Sequence, residues 1–218
     1  MRPIGLEGFS VINVSISQND AQNPSGQPTL VWQLRDATRN IHQQLHGHAG
    51  FSAIKDGTIT ADHYLCLVKR LYGFHASFEQ AAGGTAVRTT WLIDDLLALG
   101  ETPASWTAIL RCAALPDLAT ANQRLGARYV VEGSALGGRE MAQGLDHLLG
   151  PGVIAGRRFF LGHGAKTGEV WRQSLAMLAD APTDLETQTE IVNAAVATFS
   201  AFDRWAAGWS VHTDEQPG

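Results

Sequence analysis

Residues 34–45, LRDATRNIHQQL, constrain the fold of this chain more than any other stretch. Placed at 100° per residue, they resolve into two adjoining stripes on one α-helix. Leu34, Ala37, Ile41 and Leu45 make an apolar stripe that needs a partner surface. Arg35, Arg39, His42 and His46 fall within a narrow arc beside it. A helix of this kind belongs in a multi-helix domain, with its basic margin running along the edge of the buried face.

That margin has two readings. In the first it is solvated, and the Arg stems cover apolar neighbours. In the second it is a binding wall. Arg39 lies ~4.5 Å and Arg35 ~10 Å along the helix axis from His42. A metal held by His42 and acidic groups held by the two guanidinium groups then fit one flat apolar ligand, as in heme. The i,i+4 pair His42 and His46, with His48 near, also has metal-ligand spacing. However, the chain lacks the HExxH or paired Glu-x-x-His patterns of zinc hydrolases and di-iron bundles.

The remaining periodicity is helical as well. Thr29 is the expected N-cap of a first helix over about 30–47. Asp56-Gly57 marks a turn, and Thr60 caps a long helix over about 61–82 with Tyr64, Leu65, Val68, Leu71, Tyr72, His75 and Phe78 on its stripe. Gly83-Gly84 ends it. Further helices are expected over 91–99, from Thr102-Pro103 to about 114, over 117–148, over 166–179, and over 184–208 behind a Thr183–Glu186 capping box. Residues 153–163 read equally as a helical turn or a loop. With no repeat and no convincing hairpin, the class is all-α, with several helices around one core. The 218 residues suffice for one well-buried domain over 29–209, preceded by an extension over 1–28 and followed by a tail over 210–218. The extension combines a possible strand, FSVINVSI, with a polar connector of flexible composition.

Charge and cysteine usage narrow the function classes. A net charge of −5 argues against sequence-blind nucleic-acid binding. Lys occurs only at 55, 69 and 166, leaving 13 of 16 cations as Arg, a bias that a GC-rich genome produces without any functional cause. No run approaches the ~20 apolar residues of a membrane span, and no signal-peptide pattern opens the chain. Cys66 and Cys112 lie in apolar periodic segments without CxxC spacing and read as reduced core thiols. A cytoplasmic location is expected.

Two further constellations carry chemistry. VVEGSALGGRE sets Gly133 and Gly137 four residues apart, with Ser134 and Gly138 on the adjoining row, so a two-turn face is almost bare. Three interior glycines cost a helix roughly 3 kcal/mol relative to alanine, and something has to offset that. A close helix crossing and a flat ligand against the backbone are equally good accounts. In RRFFLGHGAKTGEVWR, His163 sits between glycines and Arg172 follows Trp171. Each is read as a solvated residue or as part of a binding rim.

Together these stretches resemble the heme oxygenase family, particularly its bacterial, biliverdin-producing members associated with phytochromes. The resemblance spans roughly 30–208 and is densest in LRDATRNIHQQL and IKDGTITADHYLCLVKRLYGFHASFE. The family's proximal pattern falls without gaps on Leu34, Arg35, Ala37, Thr38, Arg39 and His42. The resemblance implies an all-α, multi-helix bundle with heme between a proximal helix and a glycine-rich distal helix. It makes His42 the proximal iron ligand and assigns Arg35, Arg39 and Arg172 to the heme propionates. Thr38 and Tyr129 join the binding set, while Glu132, Gly133, Ser134, Gly137 and Gly138 form the distal, catalytic wall. Heme is then both substrate and cofactor, O2 the oxidant, and a ferredoxin or reductase the electron donor, with a phytochrome apoprotein as recipient of the product. Two positions depart from the family. Ser134 stands nearest the distal aspartate of many members, with Glu132 the nearest carboxylate. Gly168 replaces a second basic residue, with Lys166 close by. The alternative is a heme carrier or sensor on the same fold, without turnover.

Overall fold

Each long helix begins where a side chain replaces a missing helical hydrogen bond. The computed structural model describes residues 28–208, so the strand and connector read from residues 1–27, and the tail over 210–218, lie outside the described residues. The Thr29 hydroxyl accepts from the Trp32 N–H and opens α1, Leu30–His46. The Thr60 hydroxyl accepts from the His63 N–H and opens α3, Ala61–Ala82, which stops at Gly83 with φ of 68°. Both starts and the stop match the sequence reading.

Between them lies α2, Ala49–Lys55, which the sequence reading had not marked as a helix. Its cap is His48, a residue that cap preferences rank low. The Nδ1 atom accepts from the Gly50 N–H at 3.2 Å, and Nε2 lies 2.8 Å from the Ala206 carbonyl. His48 is thereby committed to joining α2 with the C-terminal helix.

Tertiary contacts correct several expected boundaries. Helix α4, Val87–Ala98, starts before Trp91 because Glu79 on α3 caps it from outside, accepting from the backbone N–H groups of Arg88 and Thr89 and from the Thr89 hydroxyl. The helix expected up to residue 114 is only α5, Pro103–Trp106. The chain beyond it runs against α3, where the Cys112 N–H donates to the Gly73 carbonyl at 3.0 Å and Leu110 packs on the bare Gly73 backbone. Helix α6, Ala121–Ser134, begins at a Thr120/Gln123 capping box and not near residue 117.

The continuous helix expected to 148 is broken. After α6 comes a 3₁₀ turn, Ala135–Gly137, then α7, Gly138–Gly144, and α8, Asp146–Leu149. The ambiguous segment holds α9, Arg158–Leu161. A second 3₁₀ turn, Gly164–Lys166, leads into α10, Thr167–Ala179. Helix α11, Leu185–Ala207, is capped by Asp184, whose carboxylate accepts from the Thr187 N–H at 2.8 Å, in place of the expected Thr183 box.

Apart from an isolated bridge residue at Pro28, the described secondary structure is helical, and the all-α class holds. None of the described helices is long and apolar enough to cross a membrane. One core cluster joins α1, α6, α10 and α11 around Leu34, Val130, Trp171, Ile191 and Phe199. Another joins α2, α3, α4, α7 and α9 around Tyr64, Leu71, Leu92, Leu145 and Phe160. A third, with Phe74, Phe78 and Val131, lies between α3, α6 and α11. Gly126 allows α6 to cross α11 closely, since a Cβ there would overlap the Ile191 carbonyl.

The sequence reading also misassigned two side chains. Ala37 is exposed, and Thr38 takes its place in the buried stripe by donating its hydroxyl to the Leu34 carbonyl at 2.7 Å. Cys66 is exposed, whereas Cys112 is buried as expected.

Candidate functional site

The packing of the described helices leaves an apolar cavity bounded by α1, α3, α4, α6, α7, α9 and α11, about 1140 Å³ including the space at its mouth. From α1 come His42, Leu45 and His46. The His42 ring meets His46 edge-on at 4.4 Å and Phe199 at 6.0 Å. Burial, with His46 beside it, lowers the His42 pKa to about 4. Its imidazole is therefore neutral at physiological pH and keeps a lone pair for a metal. Burial also lowers His46, with Lys55 adding to the shift and Glu140 opposing it.

From α6 to α7 the wall is Gly133, Ser134, Ala135, Gly137 and Gly138. Of the two accounts of the bare face, a close crossing is seen at Gly138. A Cβ on Gly138 would overlap the Phe160 carbonyl, so that residue serves a close crossing with α9. A Cβ on Gly133 would come only to 3.4 Å from the Trp171 ring. Ser134 donates its hydroxyl to the Val131 carbonyl at 2.9 Å, which leaves its oxygen able to accept.

Glu132 stands behind this wall. Its carboxylate lies 2.8 Å from Arg88 Nη2 and 3.5 Å from His163 Nε2. Arg88 itself lines the cavity, and His163 packs edge-on to Trp91 at 5.0 Å. Tyr129 is buried beside Trp171 at 5.5 Å, and burial raises its pKa despite a hydrogen bond to Thr38 and the nearby Arg35 charge. Thr38 and Tyr129 thus join α1 to α6 without lining the cavity.

The remaining cations are peripheral. Arg35 is half-buried near Tyr129, and Arg39 pairs with Asp36 at 2.8 Å on the exposed face of α1. Arg172 is exposed and donates to the Gly168 carbonyl at 3.3 Å. Lys166 and Gly168 are exposed as well. None of these five lines the cavity.

The structure adds wall residues that carried no functional reading in the sequence: His75, Arg88, Trp91, Phe159, Phe199 and Phe202. His75 left one trace, as a polar residue on an otherwise apolar stripe of α3. Arg88 left none, because its importance comes from Glu79 and Glu132 on other helices. An apolar slot, a neutral imidazole and a wall of glycines and small residues fit a flat metal-bearing macrocycle. His75 lines the slot, and its Nδ1 is buried without a hydrogen-bond partner.

The family model for heme oxygenase matches residues 28–207. Among solved structures, heme oxygenase-1 from the cyanobacterium Synechocystis sp. PCC6803, in complex with heme, is similar with a TM-score of 0.63 and 19% identity. The match covers 82% of this chain and 91% of that one, and at this identity the likeness is one of fold. No protein among the curated ones matches the chain.

Proposed function

Because this chain belongs to the heme oxygenase family, we propose that it opens heme oxidatively to biliverdin, iron and carbon monoxide, using O2 and electrons from a separate protein. The observation that carries the reading is a neutral His42 in the same apolar cavity as the Gly133–Gly138 wall. When bound, heme supplies both the iron that activates O2 and the macrocycle that is opened.

The side chains divide the remaining work. His42 holds the iron through its lone pair, and burial keeps competing protons off it. Gly137, in the cavity wall, adds no side chain where a larger one would obstruct the ring edge. Arg35, Arg39 and Arg172 set the rotation of the macrocycle through its propionates. Arg39 and Arg172 are exposed, so leaving Asp36 or the Gly168 carbonyl costs little. Thr38 and Tyr129 fix α1 against α6 and so fix the height of His42. Ser134 accepts hydrogen bonds from water at the distal wall, and Glu132, behind that wall, acts on the cavity through Arg88, which it holds and which lines the cavity. A ferredoxin or a reductase is the expected electron donor, a phytochrome apoprotein the expected recipient, and the cytoplasm the compartment where both meet the enzyme.

Purified protein titrated with hemin, then reduced in air, tests this reading. A Soret band at one heme per chain, followed by its loss and the rise of biliverdin absorption, is expected. His42→Ala should shift the Soret band and stop turnover, and an unchanged band with normal turnover removes His42 as ligand. A second reading, a heme carrier or sensor, is favoured by Ser134 at the distal position. A persistent Soret band without biliverdin selects it.

A further inference from the structure

We propose that His75 is the polar anchor of the cavity, a hydrogen-bonding imidazole that holds a water molecule or small anion beside the bound macrocycle. This rests on the heme reading above and names the residue that compensates for the carboxylate missing at position 134.

His75 comes from the middle of α3 and is 4% exposed, yet it lines the cavity. Its Nδ1 has no hydrogen-bond partner. A buried polar atom left unsatisfied costs roughly 1–3 kcal/mol, and hydrophobic residues of similar shape would fill the site without that cost. The rings packed on it offer no hydrogen-bond partner, although the Arg88 charge is near. Phe74 lies at 5.4 Å edge-on, Phe159 at 5.0 Å and Phe202 at 6.3 Å. None of these rings supplies a hydrogen-bond partner, and the cavity is the open space that the His75 ring borders.

Position favours the wall away from the iron ligand. Phe159 precedes Phe160, whose carbonyl packs on Gly138, so His75 sits with the α7–α9 crossing. The ring neighbours of His42 are instead His46 and Phe199. Chemistry favours a neutral donor. Burial, with the Arg88 charge adding to it, holds the His75 pKa at about 3. The imidazole therefore keeps one N–H and one lone pair across the physiological range, and the ring donates its N–H to an oxygen or nitrogen atom within the slot. A neutral donor polarises such an atom without placing a second cation beside Arg88.

The test uses hemin-loaded wild-type protein, His75→Phe and His75→Gln. Azide affinity and the C–O stretching frequency of the reduced carbon monoxide complex are read for each. The expected result is one heme per chain in all three, azide binding weakened at least about fivefold in His75→Phe (a factor of ten being about 1.4 kcal/mol), a raised C–O frequency, and recovery of both in His75→Gln. Should His75→Phe not fold, His75→Asn replaces it, and its shorter reach should give the same direction of change. Unchanged azide affinity and C–O frequency in a heme-loaded variant overturn the assignment of His75 alone. Absence of a Soret band in wild type overturns the heme reading and this proposal together.

Discussion

The carbonyl of Phe160 packs against the backbone of Gly138 so tightly that any Cβ on Gly138 would overlap it. This contact seats α9 on α7 and brings Phe159 and Phe160 into the cavity wall. Gly133, one and a half turns earlier, has no such neighbour, since the nearest atoms to a Cβ there belong to the Trp171 ring at 3.4 Å and 3.5 Å.

The two glycines should therefore respond oppositely to alanine. Gly138→Ala forces backbone apart and should cost about 1–3 kcal/mol, read as a lower chemical-denaturation midpoint. Gly133→Ala should be neutral or gain up to about 1 kcal/mol from helix propensity, because the Trp171 ring needs to give only a few tenths of an ångström. Equal destabilisation by both would remove the distinction between them.

Arg88 and Glu132 form an ion pair whose side chains are 9% and 11% exposed, 2.8 Å apart. Arg88→Ala strands the carboxylate and should destabilise the protein by about 3–5 kcal/mol. Removing both charges should cost clearly less than the sum of the single changes, with the difference measured in a double-mutant cycle. Strict additivity would show that the pair is not coupled.

Stability should fall on acidification below about pH 6.5. The unfolded chain protonates His42 and His75 near the ordinary histidine value of 6.5, whereas the folded protein resists until about 4 and about 3. Across that window the unfolded state binds more protons, so stability rises with pH and levels off above it. Asp95 acts in the opposite sense. Burial raises it from 3.8 to about 6 against two opposing backbone hydrogen bonds, so its contribution declines as pH rises through that range. Denaturation of heme-free protein between pH 4.5 and 7.5 should show the histidines prevailing. His75→Phe should lessen the slope by up to about 1.4 kcal/mol per pH unit. An unchanged slope would place the titrating group elsewhere.

Local signals determined much of this protein. Thr29, Thr60 and Gly83 mark helix ends with atoms only a few residues away, and the 3.6-residue period of α3 states which of its faces is buried. The gap-free pattern from Leu34 to His42 was enough to point to the family and to single out one histidine of eight. Tertiary structure decided whatever depends on a partner distant in the chain. Glu79 extends α4 from another helix, and residues 107–119 leave the helical path where Cys112 bonds to Gly73. No sequence period distinguishes Gly138 from Gly133, because the difference lies in the Phe160 carbonyl. His75 likewise looked like one more position on a helical stripe. Only the closure of aromatic rings from α9 and α11 around it shows a buried imidazole at the cavity wall whose Nδ1 has no hydrogen-bond partner.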